Sequence, residues 1–150
     1  MNKHLIASLG LCAAMSSAVA GPPSSPPPCN AQTTKGSWMY TCEGTLPAPT
    51  QTATRILGSC RASRTGFFSC QGSVNLGGGP IIAQGLEGQA YTLPNCTGTI
   101  SYAQTLGGTY VGQLDINYVV SEGGSAINGL PTNSGGVLSC TLKRIDKGSD

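Results

Sequence analysis

The cysteines constrain the fold of this 150-residue chain more than any other feature. Seven are present, and Cys12 lies in an N-terminal segment that we expect to be removed. An even number of cysteines in an exported chain indicates up to three disulfides, because the compartment is oxidising. The six that remain are Cys29, Cys42, Cys60, Cys70, Cys96 and Cys140.

Residues 1–20 predict a cleaved secretory signal peptide. A short basic start precedes an apolar stretch, and the segment ends in the small residues Ala18-Val19-Ala20. This order is typical of such signals, with cleavage between Ala20 and Gly21. The apolar run is interrupted by Ser and Gly and is shorter than the roughly 20 residues that span a bilayer. We therefore expect a secreted or periplasmic protein with no membrane span after cleavage.

A proline-rich stretch follows the predicted cleavage site. Five of the ten prolines fall within GPPSSPPPC, between Pro22 and Pro28. Proline favours an extended polyproline conformation, so residues 21–28 predict a stiff linker, with a proline-rich recognition motif as the alternative. The folded domain is then expected to occupy residues 29–150.

Charged residues make up 9 % of the chain, whereas a typical globular domain contains about 25 %. A nucleic-acid partner is not expected, because such a protein needs a dense basic footprint. A hydroxyl-rich, glycine-rich surface with few charges is instead typical of extended β structure joined by turns.

The clearest strand is TYVGQLDINYVV, in which apolar and polar side chains alternate. Tyr110, Leu114, Ile116, Tyr118 and Val120 share one parity, which predicts one buried face. Shorter alternating or apolar segments predict further strands, and together they favour an all-β, single-domain antiparallel sandwich or small barrel. These segments are Trp38–Cys42, Arg55–Cys60, Phe67–Leu76, Ile81–Gln84, Ala90–Leu93 and Leu138–Leu142.

Gly107-Gly108 predicts a hairpin turn before this strand. A two-residue turn would place Tyr102 opposite the polar Gln113. A three-residue loop from Gly107 to Thr109 instead places Tyr102 opposite Leu114 and Ile100 opposite Ile116. We favour the second register, because it keeps apolar side chains on one face.

A short phrase occurs three times: CEGTL, CQGSV and CTGTI, beginning at Cys42, Cys70 and Cys96. The repeat predicts recurring β-hairpin units, in which cysteine fixes a strand to the core. Glycine then permits a bulge or a close backbone approach. A phosphate-binding loop is the alternative, but such loops precede a helix and no helix is predicted here.

The residues available for catalysis are few. The single histidine, His4, leaves with the signal peptide, which excludes a Ser-His-Asp triad, a Cys-His pair and a histidine metal site. A pair of carboxylates remains possible in principle. We expect no enzymatic activity, no metal and no cofactor. The carboxylates considered are Glu43, Glu87, Asp115 and Glu122.

A binding site is predicted within CRASRTGFFSC, where Arg61, Arg64, Phe67 and Phe68 lie between Cys60 and Cys70. If those cysteines pair, cations and an aromatic ring are held on a constrained loop, and such groups dominate interface energetics. The alternative is an ordinary turn at residues 63–66 with one phenylalanine in the core. Residues 121–136 form a second candidate binding loop.

The simplest disulfide pattern pairs the cysteines in chain order. It joins Cys29 to Cys42, Cys60 to Cys70 and Cys96 to Cys140, which is one of 15 possible connectivities.

The stretch WMYTCEG resembles the opening strand of the C-type lysozyme inhibitors, which are small exported β-barrels. The resemblance covers Tyr40 to Gly44 only. Ala62-Ser63 before Phe67 is mis-spaced for the family's Ser-rich loop, and its later Trp-Lys-Gly segment is missing. Membership is not inferred, but the resemblance adds an inhibitor to the possible functions.

These observations favour an exported, non-enzymatic module that binds a protein or a surface glycan. The alternatives are a structural or self-associating surface component and a small periplasmic enzyme inhibitor. Low charge and exposed strand edges would favour the self-associating alternative.

Overall fold

The computed structural model describes residues 28–47 and 52–146, with Glu122 and Asp146 described by their backbone alone. The predicted signal peptide and all of the predicted linker except Pro28 lie outside the described residues. Both therefore stay predictions.

Eight antiparallel strands form a closed barrel in which each strand pairs with the next and the last pairs with the first. The all-β prediction is confirmed, and of its two architectures the structure has the barrel. The strands are β1 (Gly36–Leu46), β2 (Thr52–Ala62), β3 (Phe67–Leu76), β4 (Ile81–Thr92), β5 (Thr97–Leu106), β6 (Thr109–Val120), β7 (Ala126–Pro131) and β8 (Val137–Asp146).

Two short 3₁₀ helices accompany the strands, at Ala31–Thr34 and Glu122–Gly124. Among the described residues, no helix has the length and apolar character needed to cross a membrane.

The interior is filled by the side chains of one parity from each strand, as the pleat requires. Its largest members are aromatic: Trp38 and Phe68 are 0 % exposed, and three tyrosines are buried beside them. The Phe68 and Tyr102 rings meet edge to face, with centroids 6.5 Å apart. The buried tyrosines are Tyr40, Tyr102 and Tyr118.

The N-terminal 3₁₀ helix closes the barrel end at which β1 begins, which we call the closed end. Thr34 is fully buried there, and its carbonyl oxygen accepts a 2.8 Å hydrogen bond from Trp38 Nε1. The guanidinium of Arg144 stacks 4.6 Å from the Trp38 ring centroid and donates to the carbonyl oxygen of Thr33. The opposite end, at which β1 ends, we call the mouth.

All six predicted cysteines form disulfides, but the pairing in chain order is wrong in two of three bonds. Cys60–Cys70 is confirmed, whereas the other bonds join Cys29 to Cys96 and Cys42 to Cys140. Barrel closure explains the second pair, because it makes β1 and β8 neighbours and places Cys42 directly opposite Cys140.

The Cys29–Cys96 bond fixes the N-terminal segment to the β4–β5 turn at the closed end. The Cys29 amide also donates to the carbonyl oxygen of Pro94 at 3.2 Å. Three disulfides of this kind fit an oxidising compartment outside the cytoplasm.

The repeated cysteine-glycine phrase lies on β1, at β3 and at the start of β5, once in each of the first three hairpins. Each of its glycines allows a close approach that a side chain would block. An added Cβ would lie 1.9 Å from the Val137 oxygen at Gly44, 2.4 Å from the Tyr40 hydroxyl at Gly72 and 2.3 Å from the Tyr91 oxygen at Gly98. The phrase is therefore architectural in the structure.

The β5–β6 hairpin combines features of both predicted registers. A two-residue turn at Gly107-Gly108 pairs Leu106 with Thr109, so the predicted three-residue loop is wrong. A bulge then shifts the register, and Tyr102 faces Leu114 as predicted. The bulge lies between Tyr110 and Gly112 and so separates Tyr110 from the rest of the predicted buried parity. The Tyr110 side chain therefore lies outside and is 64 % exposed.

Two segment predictions need correction. Ile81–Gln84 and Ala90–Leu93 belong to one continuous strand, β4, apart from Leu93 at its end. The predicted irregular loop at residues 121–136 contains β7, whose pairing with β6 and β8 closes the barrel.

Candidate functional site

The four residues predicted for binding lie at the β2–β3 hairpin tip, at the closed end. Arg61 and Arg64 are exposed, and Phe67 is 43 % exposed on the outer wall. Phe68 is 0 % exposed and belongs to the core. The surface part of this group, Arg61, Arg64 and Phe67, is named the arginine tip below.

Hydrogen bonds hold the turn of the arginine tip. Ser63 Oγ accepts from the amides of Thr65 and Phe67, at 3.3 and 3.0 Å, and the Gly66 amide donates to the Ser63 carbonyl at 3.2 Å. Gln89 Nε2 reaches from β4 to the Thr65 carbonyl at 2.6 Å. Locally this is the ordinary turn with one phenylalanine in the core, and its binding role stays a prediction.

A concave apolar surface, named the outer groove, lies on the outer wall across β4 to β8. Its volume is about 670 Å³, within the range of roughly 300–1,000 Å³ that ligand sites span. Four large apolar side chains line it while remaining 41 to 69 % exposed: Tyr91, Leu93, Val119 and Leu130.

Strand register assembles this surface from residues far apart in the chain. Tyr91 pairs with Thr99, Thr99 with Asn117, and Asn117 with Leu130, so one row crosses four strands. A second row joins Thr97, Val119 and Asn128 in the same way. Apolar side chains thus alternate with hydroxyls and amides, and no charged side chain of the described residues lines the groove.

Beneath the outer groove, the barrel wall curves around Tyr118. This ring faces Gly98 on one neighbouring strand and Gly129 on the other. Glycine inside a strand allows a close approach, and a Cβ added at Gly98 would lie 2.4 Å from the Tyr118 ring. The Tyr118 hydroxyl shares a 2.6 Å hydrogen bond with the Thr92 hydroxyl, and burial raises the pKa of this phenol.

The outer groove and the arginine tip are neighbours on the outer wall. Phe67 is the register partner of Gln89, and Tyr91 lies two residues further along the same face of β4. Diagonal neighbours of this kind are close enough for large side chains to contact one ligand together. The exposed residues of the predicted binding site therefore lie at one margin of this groove.

Three of the four carboxylates considered for catalysis have described side chains, and they lie on three different strands. Glu43 lies on β1, Glu87 on β4 and Asp115 on β6, and none is the register partner of another. Glu43 lies 3.9 Å from Arg55 in an exposed ion pair. Hydrogen bonds from Gln113 and Ser101 lower the pKa of Asp115, which keeps this carboxylate ionised. The side chain of Glu122 is outside the described part.

The fold and this surface define a small, disulfide-bonded antiparallel β-barrel with an apolar groove on its outer wall. Comparison of the chain with protein-family models, curated protein sequences and solved structures found no match.

Sequence reasoning missed the outer groove itself. One signal was present: Val119 is an aliphatic residue that follows the polar Gln113, Asp115 and Asn117 on the outer parity of β6. An apolar residue on the face of a strand that is otherwise solvated is an exposed apolar position, and such positions can be identified once that face is known.

Proposed function

We propose that this protein is an exported, non-enzymatic binding module that recognises another protein through the outer groove and the arginine tip. The observation that carries the proposal is that an uncharged apolar groove adjoins Phe67, which belongs to the same hairpin tip as the exposed Arg61 and Arg64. Interface centres are depleted in charge and enriched in aromatic residues, and arginine is enriched in interfaces as well. We place the protein in the periplasm or outside the cell.

The lining of the groove favours a protein over a glycan. Leu93, Val119 and Leu130 offer aliphatic surface, which apolar side chains of a partner can cover. A glycan would use mainly the exposed ring of Tyr91 together with amide and hydroxyl groups. Aliphatic side chains outnumber the aromatic one, so we take a protein as the partner.

The scaffold supports the proposal energetically. The groove lies on paired strands and the arginine tip is held by hydrogen bonds and by the Cys60–Cys70 bond. Preorganised surfaces lose little conformational entropy on binding, so more of the contact energy appears as affinity. The two exposed arginines would select acidic side chains at the partner's margin.

Site-specific photocrosslinking in the native secretion tests this proposal. A benzoylphenylalanine at position 91 should give one dominant crosslinked protein. The same probe at position 57 is the control, because Leu57 is 56 % exposed on the outer wall of β2, away from the groove. Equal products from both positions, or none from position 91, would contradict the proposed surface.

Once the crosslinked partner is known, substitutions test the energetic role of each part. Val119→Ser and the double change Arg61→Ala, Arg64→Ala should each weaken binding by about 1–3 kcal/mol while leaving folding intact. Leu57→Ser is the matched control and should leave the affinity unchanged. If the groove binds a glycan on an array through Tyr91, and no protein partner is found, the glycan alternative would be favoured.

The inhibitor alternative receives no separate support from the resembling segment. Within Tyr40 to Gly44, Tyr40 and Cys42 are 3 % and 6 % exposed and face the barrel interior. Residues buried in this way are constrained by packing, so their likeness to another barrel concerns the core.

A further inference from the structure

A second cavity, named the mouth cavity, opens at the barrel end opposite the closed end. Its volume is about 290 Å³. Apolar side chains from the inner parity of several strands line most of it, and no charged side chain of the described residues does. The apolar lining comprises Leu46, Ile56, Val74, Leu76, Leu106, Val111, Leu114 and Leu138.

This cavity exists because the interior is filled unevenly. The large interior rings lie in the closed half and the middle of the barrel, whereas the mouth is lined mainly by aliphatic side chains. Its polar lining comprises Thr54, Gln104, Gln113, Asn133 and Ser134. Leu76, Leu106 and Leu114 pack against the core but are only partly buried. An eight-stranded barrel has room inside for side chains or for one small ligand, and here the mouth leaves room for the ligand.

A polar group without a partner lies behind the mouth cavity. Gln84 is 3 % exposed, and its Oε1 accepts a 3.0 Å hydrogen bond from the Tyr40 hydroxyl. Its Nε2 has no hydrogen-bond partner among the described residues. A buried donor without a hydrogen-bond partner is unfavourable, so this amide is available to donate to a ligand atom.

A small inner void lies beside this amide and shares part of its lining with the mouth cavity. The void has a volume of about 30 Å³ and is lined by Gln84 together with the core. Ile56, Leu114 and Leu138 line both spaces. A space of this size holds one water molecule or the end of a ligand.

We propose that the mouth cavity binds a small, uncharged, mostly apolar molecule whose inner end carries a hydrogen-bond acceptor such as a carbonyl oxygen. The apolar part fills the aliphatic mouth, and the acceptor enters the inner void and receives the Gln84 amide proton. A charged ligand is disfavoured, because the described lining offers no opposite charge to offset its desolvation. The volume lies at the lower limit for ligand sites, which excludes a long lipid chain.

This proposal is independent of the proposed function, since the mouth cavity lies inside the barrel and the outer groove lies on its wall. Acetophenone and its hydrocarbon isostere α-methylstyrene are suitable probes, because they differ mainly in the carbonyl oxygen. Calorimetric titration of the purified disulfide-bonded protein should give acetophenone at least tenfold higher affinity. Benzoate, the charged control, should not bind measurably.

Two substitutions assign the site. Leu106→Trp should fill the mouth and abolish binding of both probes, whereas Leu57→Trp, on the outer wall, should leave binding unchanged. If Leu106→Trp does not fold, Leu76→Phe serves the same purpose. Gln84→Leu should remove the preference for acetophenone while retaining α-methylstyrene, with thermal unfolding as the check on folding.

Three results would overturn the proposal. If neither acetophenone nor α-methylstyrene binds, the cavity is not a ligand site. Binding that survives both mouth-filling variants would place the probes elsewhere. An unchanged preference in Gln84→Leu would mean that the Gln84 amide does not recognise the carbonyl oxygen, and the assignment of an acceptor-bearing ligand would be wrong.

Discussion

Interior tyrosines and inward-facing glycines are matched across neighbouring strands. Tyr40 is the register partner of Gly58, and Tyr102 is the partner of Gly88. At Gly58 an added Cβ would lie 2.4 Å from the Tyr40 ring. The rings therefore occupy space that a second side chain would need, and the glycines shape the narrow interior of the barrel.

The first prediction concerns Gly72, a glycine of the repeated phrase. An added Cβ would lie 2.4 Å from the Tyr40 hydroxyl and 2.5 Å from the Leu57 carbonyl oxygen. Because the second of these is a backbone atom, Gly72→Ala should lower the free energy of unfolding by about 2–3 kcal/mol. Chemical denaturation with the disulfides intact measures it.

Ser73→Ala is the matched control, since Ser73 is the next residue and is exposed. Its effect should stay within about 0.5 kcal/mol. A Gly72→Ala variant as stable as this control would refute the architectural explanation of the phrase.

The buried phenols predict a loss of stability at alkaline pH. Burial raises the pKa of Tyr40 to about 12 and raises that of Tyr102 as well. A pKa that is higher in the folded state means that stability is fully present below the unfolded value of about 10 and is lost as pH rises through the folded value. The free energy of unfolding should therefore fall between about pH 10 and pH 12.

Denaturation curves at successive pH values measure this loss. Tyr40→Phe should fall less steeply with pH than the wild type, because one phenol with a raised pKa has been removed. A wild-type stability that stays constant through this range would contradict the assignment of these phenols as buried and neutral.

At the scale of strands, alternation of apolar and polar residues was enough to predict most of the barrel. Leu114, Ile116 and Tyr118, which were predicted to share a buried face, point into the barrel from β6. The predicted segment Phe67–Leu76 has the same bounds as β3. These predictions succeed because apolar and polar residues alternate in the sequence of a strand that has one buried face.

β7 and two disulfides were not predictable in this way. β7 has six residues and places Ile127 and Gly129 inward, so it carries too little alternation to be recognised. The Cys42–Cys140 bond depends on barrel closure, which joins strands 98 residues apart. Closure is a property of the whole sheet, and no local pattern contains it.

The disulfides should differ in their contribution to stability. Cys42–Cys140 spans 98 residues and Cys60–Cys70 spans 10. A bond that closes a longer loop removes more entropy from the unfolded chain. Replacing Cys42 and Cys140 by alanine should destabilise the protein by about 1–2 kcal/mol more than replacing Cys60 and Cys70.

Thermal and chemical unfolding of the two double variants provide this comparison, and mass spectrometry should show that the remaining bonds are intact. A larger effect from the short-range bond would mean that the hairpin of the arginine tip depends on its disulfide for folding.

At the scale of the molecule, one barrel carries two distinct surfaces. The apolar side chains of the outer groove come from β4 and the residue after it, from β6 and from β7, which are far apart in the sequence. The mouth cavity depends on which interior positions are aliphatic and which are aromatic. Most strands were therefore predictable from sequence, whereas the groove and the cavity required the register that brings their residues together.

The shortness of β7 leaves the first half of β6 without a strand partner on that side, and a side chain takes the partner's place. Asn133 Oδ1 accepts from the Asp115 amide at 2.8 Å, and Asn133 Nδ2 donates to the Gln113 carbonyl at 3.1 Å. The Thr132 amide donates to the Asp115 carbonyl at 2.8 Å. Covering a strand edge with a loop is a known protection against edge-to-edge association.

Because this edge is protected, we predict a monomer, which differs from what the self-associating alternative would require. The wild type should sediment as a monomer even at high concentration. Asn133→Ala should expose the edge and cause concentration-dependent association. It should also speed hydrogen exchange of the Asp115 amide by about tenfold, which corresponds to the loss of one hydrogen bond. Asn128→Ala is the control, because Asn128 bonds only the Thr141 side chain among the described hydrogen bonds. Association of the wild type itself would instead favour a structural role, since the covered edge would then fail to keep the barrels apart.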